Sequence, residues 1–179
     1  MPEELQLHNT NHSEQMSRIS LINQEGTLKS YFPEGKIKRN GEKELTWIGA
    51  VTPSPVSLTY TIKLHYKHNE GAKIYVVDPK PLVLAVGKYC LPHVYSTPEQ
   101  QLCLYYPVEK EWTSEMYYVH SLIPWACEWL YHYELWVCTG TWHGGGVHHE
   151  SEAEKQAIKL KEELIEVPKN DKKEIKHGN

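Results

Sequence analysis

The chain of 179 residues has no long apolar run and no strong bias towards one charge. An apolar stretch of about 20 residues would be needed for a membrane-spanning helix, so none is expected. The first 15 residues are polar and lack the apolar centre of a signal peptide. The net charge is −4, with both signs mixed along the chain, which does not favour binding to nucleic acid. We therefore expect a cytoplasmic protein that binds neither membranes nor nucleic acid.

Closely spaced cysteine pairs are also missing. The four cysteines are Cys90, Cys103, Cys127 and Cys138, and none lies two to four residues from another. This spacing favours neither a disulfide framework nor a zinc site built from thiolates. We expect reduced cysteines, no metal site and no cofactor.

Phenylalanine is scarce as well: the chain has one Phe, whereas it has six Trp and twelve Tyr. Tyrosine and tryptophan combine a large apolar ring with a polar atom, and they are common where a surface is half-buried or meets a partner. The composition therefore indicates an aromatic-rich domain with some of its rings near the surface.

Alternating apolar and polar residues predict four successive strands, separated by turns that contain glycine or proline. The predicted strands are Lys36–Arg39, Leu45–Val51, Leu58–Tyr66 and Lys73–Val77. Helices are predicted after them: a short one capped by Thr113, with Glu115 in its first turn, and a longer one at Trp125–Val137. A four-strand antiparallel meander followed by helices is an α+β domain.

The ends of the chain differ in composition from its centre. Residues 1–25 are polar and weakly patterned, so an element starting at Ile19 and disorder are both open there. The main domain is predicted at 26–150. A capping box of Ser151 and Glu154 predicts a further helix at 151–167, and the charged tail at 168–179 is predicted to be disordered.

Cys103 is the first candidate for chemistry. It follows a polar turn and lies between Leu102 and Leu104, whose side chains point to the opposite face if the segment is extended. The sulfur would then lie near solvent, beside Tyr105. A cysteine is more often a core residue, so both a buried cysteine and a nucleophile remain open.

His93 precedes this cysteine and follows Pro92. Its imidazole could orient or polarise an acyl group near the thiol, or it could brace the turn by hydrogen bonding to the backbone.

A cluster of three other histidines, His143, His148 and His149, flanks three glycines. Their spacing matches no zinc pattern, so a surface loop is the better interpretation than a metal-dependent hydrolase.

The predicted long helix has more large aromatic residues than one sheet-facing stripe requires. We expect Trp125 and Trp129 to pack in the core. The remaining rings are candidates for a partner-binding surface, and they include Tyr131, Trp136 and Trp142.

Several short motifs, in this order and spacing, resemble a known family over approximately residues 32–150. They are Tyr31-Phe32-Pro33, Trp47-Ile48-Gly49, Pro92-His93-Val94-Tyr95, Leu102-Cys103-Leu104-Tyr105, Glu111-Trp112, Ile123-Pro124-Trp125, Glu128-Trp129-Leu130, Tyr133-Glu134, Thr139-Gly140-Thr141-Trp142 and the glycine triplet with His148. The family is that of bacterial ubiquitin-conjugating-enzyme-like proteins from antiphage cyclic-oligonucleotide signalling (CBASS) operons.

The resemblance implies a ubiquitin-conjugating-enzyme-like (UBC-like) fold with Cys103 as the nucleophile. His93 would assist at the acyl oxygen, Trp112 would brace the loop, and Tyr105 would contact the partner. Leu91-Pro92-His93 stands where eukaryotic relatives have His-Pro-Asn, so His93 takes the place of the asparagine. The long N-terminal helix that often binds an activating enzyme is not evident before Phe32.

The resemblance also implies a function in antiphage defence. Cys103 would form a thioester with the C-terminus of a cGAS/DncV-like nucleotidyltransferase and so prime cyclic-nucleotide signalling, with or without an activating enzyme. A second hypothesis is a non-catalytic module of the same fold that holds the partner's C-terminal tail.

Overall fold

Four consecutive strands form an antiparallel meander in the computed structural model, which describes residues 18–106 and 110–145. They are β1 (Lys36–Asn40), β2 (Glu44–Val51), β3 (Tyr60–Lys67) and β4 (Gly71–Asp78). Two short strands, β5 (Val94–Ser96) and β6 (Gln101–Leu102), extend this sheet in the order β1-β2-β3-β4-β6-β5. The predicted α+β class and the meander are confirmed, and β5 and β6 were not predicted.

The sheet buries one face, because alternate residues of β2, β3 and β4 enter a single apolar core. In β3 the buried side chains are Tyr60, Ile62, Leu64 and Tyr66, as the alternation predicted. The predicted strand also included Leu58, and this was wrong. It precedes the strand and is 68% exposed, and its N–H donates to the Glu134 carboxylate over 2.9 Å.

A helix, α1 (Leu21–Tyr31), precedes the sheet, so an ordered element does begin near Ile19, which is one of the two alternatives that the sequence left open. Ser20 caps it by accepting a hydrogen bond from the Asn23 N–H. The sequence pattern concealed the helix because one buried position is polar. Gln24 is 1% exposed, its amide donates to the Met116 carbonyl, and its amide oxygen accepts from the Tyr118 N–H.

The second helix, α2 (Leu122–Thr139), begins three residues earlier than predicted. Pro124 lies in its first turn, where a missing N–H breaks no intrahelical hydrogen bond. Gly140 ends the helix with a φ of 73° and donates its N–H to the Trp136 carbonyl over 2.8 Å. The predicted end at Thr139-Gly140 is confirmed.

The helix predicted after Thr113 is absent. The described residues between Thr113 and Ser121 form turns and a single 3-10 turn at Tyr118–His120. Tyr117 has an extended backbone, with φ −69° and ψ 134°, which prevents a continuous helix. This segment is instead held to α1 by the two Gln24 hydrogen bonds.

A buried glutamine also shapes the turn between β5 and β6. The Gln100 amide group donates to the carbonyls of Val76 and Pro79 over 2.9 and 3.1 Å, and its amide oxygen accepts from the Leu82 N–H. The sequence placed Gln100 in a solvent-facing turn, but it is 1% exposed. Its side chain fixes the start of the connection from β4 to β5, which carries His93.

Several predictions lie outside the described residues. These are the structure of residues 1–17, the helix at 151–167, the tail at 168–179, and the positions of His148 and His149. Among the helices that the structure does describe, none is long and apolar enough to cross a membrane.

Candidate active site

A cleft of about 570 Å³ lies between the segment that follows β6 and one side of α2. Cys103 and His93 line it from the sheet side, whereas Trp125, Glu128, Trp129 and His132 line it from the helix. The loop after α2 contributes Trp142, Gly144 and Gly145. The structure thus brings the predicted nucleophile and the predicted assisting histidine to one cleft.

Cys103 follows the last residue of β6 and is half-buried. Leu102 is 3% exposed and points into the core, so the alternation along the chain turns the neighbouring cysteine the other way. The backbone N–H of Cys103 donates to the carbonyl of His93 over 3.0 Å. Because this N–H is already bonded, it is not a free donor for an acyl oxygen in the cleft.

His93 has a φ of 47°, in the left-handed region that most residues avoid. Its carbonyl accepts two hydrogen bonds, from the Cys103 N–H and from the Trp129 indole N–H, each 3.0 Å long. Its ring stacks on the Trp142 indole, with centroids 5.0 Å apart and planes at 27°. The histidine therefore connects β6, α2 and the loop after α2 at one point beside the thiol.

Trp142 joins His93 to the rest of the aromatic wall. Its ring centroid lies 5.7 Å from that of Trp129 and 5.8 Å from that of His132. Gly144 lies against the indole so closely that an added Cβ would be 2.8 Å from a ring carbon. The absence of a side chain at Gly144 thus allows the loop to lie against the ring.

The surroundings of the Cys103 thiol raise its pKa and so disfavour its ionised form. Partial burial raises the pKa of Cys103, and the nearby Glu111 carboxylate raises it further. A hydrogen bond from Tyr95 acts in the opposite direction and lowers the pKa of the thiol. Glu111 itself is held in place because its carboxylate accepts the Tyr106 N–H over 2.7 Å.

Two polar residues on the helix wall were not considered as site residues from the sequence. Glu128 and His132 are four residues apart on α2, which places them on the same side of the helix, and both line the cleft. The Nδ1 atom of His132 is buried and has no hydrogen-bond partner among the residues that the structure describes. The i, i+4 spacing of Glu128 and His132 is visible in the sequence. In this helix, however, only the large aromatic residues were considered as site residues.

Residues 24–150, which are most of the chain, match the family model described as "Type II CBASS E2 protein". The chain belongs to this family. No curated protein matches it. The resemblance to CBASS-associated ubiquitin-conjugating-like proteins is therefore confirmed, and it places the protein in an E2-like family of antiphage defence.

Two further site residues predicted for this E2-family chain are Tyr105 and Trp112, whose rings contact each other. Tyr105 lines the cleft, and its hydroxyl donates to the Ala72 carbonyl over 3.2 Å. Trp112 is not among the residues that line the cleft. Its ring lies 5.7 Å from that of Tyr105 and 6.2 Å from that of Tyr118, so it packs behind the segment that carries the cysteine.

The residues predicted to bind a partner occupy different environments. Tyr131 is 42% exposed on α2, and Trp142 lines the cleft. Trp136 is only 3% exposed and packs against Tyr133 with ring centroids 6.2 Å apart. Its assignment to a partner surface was wrong, because the inward side of α2 includes this position and the core covers its ring.

The alternative of a metal-dependent hydrolase gains no support from the described residues. His143 is exposed, and no group of three or more potential ligands forms a metal site in the part of the chain that the structure describes. His148 and His149, the other members of that cluster, lie outside it.

Proposed function

We propose that this E2-family protein is an acyl-transfer enzyme of antiphage defence in which Cys103 carries the C-terminal acyl group of a partner protein as a thioester. The observation that supports this most is the position of Cys103, half-buried at a cleft whose other walls are His93 and α2. Acyl transfer, the function that family membership implies, requires a thiol that an acyl group can reach. Cys103 would supply that thiol in this cleft.

Formation of the thioester needs an activated acyl donor, since a free carboxylate does not react with a thiol. The donor is the partner's C-terminus in the form of an acyl phosphate anhydride or another thioester. The Cys103 thiolate attacks the carbonyl carbon, the new C–S bond forms, and the donor's leaving group departs with its electron pair. The thiol proton is released to solvent when the thiolate forms.

Transfer then requires an amine. Its nitrogen attacks the thioester carbonyl, the C–N bond forms, and the C–S bond breaks with the electron pair returning to sulfur. The amine loses one proton in this step, and His132 and Glu128 lie on the opposite wall of the cleft, where they can accept it. The Glu111 and Glu128 carboxylates also favour the approach of a cationic amine.

His93 is the proposed donor to the acyl oxygen. The backbone N–H of Cys103 is bonded to the His93 carbonyl, so the oxygen that becomes negative during attack needs another donor. The imidazole of His93 lies at the cleft and is fixed by its stacking on Trp142. The expected partner, by family context, is a cGAS/DncV-like nucleotidyltransferase, with or without a separate activating enzyme.

A second candidate function is a module that holds the partner's tail without turnover. It is favoured by the raised pKa of Cys103, because a mostly protonated thiol is a poor nucleophile at neutral pH. In that case the aromatic walls of the cleft would bind an extended tail, and the cysteine would be part of the lining.

Intact mass spectrometry distinguishes the two functions. The protein is co-expressed with the proposed partner, a cGAS/DncV-like nucleotidyltransferase, as wild type and as Cys103→Ser and Cys103→Ala. An enzyme gives a protein-sized adduct that hydroxylamine releases from wild type, an adduct of the serine variant that resists reductant, and none on the alanine variant. A wild-type protein that copurifies with the partner and carries no adduct is the binding module.

A further inference from the structure

The side chain of Trp129 connects α2 to the residue directly before β5. Its indole N–H donates to the His93 carbonyl over 3.0 Å, and the residue is only 4% exposed. The same carbonyl accepts the Cys103 N–H. The hydrogen bond of a buried indole is costly to break, because its N–H is then left without a partner. The helix wall of the cleft and the histidine beside the thiol are thus held together at one oxygen atom.

The position of the Trp129 indole is set by the packing of other aromatic residues. Its ring stacks on Tyr133, with centroids 5.5 Å apart and planes at 6°, and its centroid lies 5.7 Å from that of Trp142. Tyr133 is held in turn, because its hydroxyl donates to the Val83 carbonyl over 2.9 Å. The indole N–H is therefore a donor in a fixed position, to which the His93 loop is attached.

The backbone of His93 requires support from its surroundings. Its φ of 47° is unfavourable for a residue with a Cβ, and such a conformation persists only where neighbouring groups hold it. The bond from the Cys103 N–H does not fix His93 relative to α2, because both of its ends adjoin the Val94–Leu102 pair of β5 and β6. The indole bond supplies this second reference, since its donor belongs to the helix.

We propose that Trp129 is a positioning residue, which holds the backbone of His93 through this bond and so places the imidazole beside the Cys103 thiol. Its role in acyl transfer rests on the proposed function, in which the imidazole donates to the acyl oxygen. Without the indole N–H, the His93 peptide group can rotate, and the imidazole moves with it because it is attached to the same Cα. A displacement of about 1 Å at a reacting group can slow a reaction by about 100-fold.

The test removes the N–H and keeps the shape of the ring. Trp129→Phe would remove the donor together with part of the core, so 3-benzothienylalanine is incorporated at position 129, where a sulfur atom replaces the indole N–H. Acylation of Cys103 by a short peptide thioester is then followed at each cysteine by mass spectrometry. The acyl carbon forms a bond to the Cys103 sulfur and its bond to the donor's thiol breaks. The departing thiolate takes up the proton that Cys103 has released.

The replacement should slow acylation about tenfold at saturating thioester and leave the half-saturating concentration unchanged, because alignment and not binding is lost. In a His93→Gly background it should have no further effect, since the group that Trp129 positions is already absent. A merely structural role would slow the reaction equally in both backgrounds. Equal slowing in both, or no slowing in the presence of His93, would overturn the proposal.

Trp47 provides a matched control in the core. It is 0% exposed and is not among the residues that line the cleft. Its Nε1 has no hydrogen-bond partner in the part of the chain that the structure describes. Benzothienylalanine at position 47 therefore removes an N–H without breaking a bond of this kind, and the acylation rate should equal that of wild type. An equally slow reaction in this protein would show that the replacement itself, and not the bond to His93, causes the effect.

A second measurement separates this proposal from the proposed function. The His93 ring stacks on the Trp142 indole with centroids 5.0 Å apart, so the indole ring current shifts the NMR signal of the imidazole Cε1–H. In protein labelled with [13C]histidine, benzothienylalanine at position 129 should move this signal, which is identified by its loss in His93→Asn. The signal of His65, which is bonded to Thr46 in the sheet, should stay in place.

These NMR spectra need neither a partner protein nor an acyl donor. If the wild type forms no thioester at Cys103, the proposed function fails, and the His93 signal alone decides whether Trp129 positions this residue. An unmoved His93 signal would reject the positioning role even if acylation is observed.

Discussion

The backbone N–H of Cys103 donates to the carbonyl of His93 over 3.0 Å, and the same carbonyl accepts the Trp129 indole N–H over an equal distance. One carbonyl oxygen thereby fixes the separation between the candidate nucleophile, the histidine loop and α2. The backbone amide of Cys103 is thus already engaged in a hydrogen bond that holds the histidine loop. In the proposed mechanism, the donor to a negative acyl oxygen is therefore a group other than this amide.

Removal of the His93 imidazole should slow acyl transfer while the partner still binds. His93→Gly suits the test because glycine tolerates the φ of 47° without strain, which alanine does not. The expected loss in single-turnover transfer is about 100-fold if the imidazole is the donor to the acyl oxygen.

His93→Asn is the matched control. Asparagine also accepts left-handed backbone angles and supplies an amide donor, so it should restore most of the lost rate. Equal rates for wild type and the glycine variant would show that the ring only packs on Trp142.

Substitution of Gly144 should disturb the site without a change in its charged groups. In Gly144→Ala the new Cβ would lie 2.8 Å from the Trp142 ring, which must move away from it and from its stack on His93. We expect altered tryptophan fluorescence and weaker transfer. Gly26→Ala is the control, because its added Cβ meets nothing within 4 Å. Unaltered fluorescence and transfer in Gly144→Ala would show that the loop adapts without cost to the site.

The rate at which Cys103 is acylated should depend steeply on pH. Only the thiolate attacks, and burial and Glu111 raise the pKa of this thiol above its ordinary value of about 8.5. The rate should therefore increase throughout the interval from pH 6.5 to 8.5 without a plateau, and most steeply in its lower half. In Glu111→Gln the curve should move to lower pH, because a negative charge that opposes the thiolate is removed. A plateau below pH 7.5 in the wild type would contradict the raised pKa.

Truncation of Trp136 should affect stability more than partner binding. Trp136→Ala leaves a cavity in the core, and the free energy of unfolding should fall by about 3–5 kcal/mol in a denaturant titration. Tyr131→Ala, on the exposed side of the same helix, should change it by less than about 0.5 kcal/mol. Tyr131 remains a predicted partner contact, so its variant should bind the nucleotidyltransferase more weakly in calorimetry. A stable Trp136→Ala protein would contradict the burial of this ring.

Regular patterns were readable from the sequence because they depend on neighbouring residues. The alternation in β3 identified that strand within two residues at each end, and Thr139-Gly140 identified the end of α2. An element near Ile19 was left open against disorder, and the sequence did not decide for the helix α1 because its buried stripe includes Gln24, whose two hydrogen bonds are made to residues more than 90 positions away. No local pattern shows that a glutamine will be satisfied by such a distant segment.

The sequence by itself determined the strand meander, the family and the pairing of Cys103 with His93 as candidates, since these follow from local periodicity and motif order. Only the tertiary structure decided which side chains meet at the sulfur. The packing of α2 against the sheet places Glu128 and His132 across the cleft from Cys103. It also decided that Trp136 is core and Tyr131 is surface. The physical reason is that burial and hydrogen-bond partners depend on how separate segments pack, which the order of residues along one element does not specify.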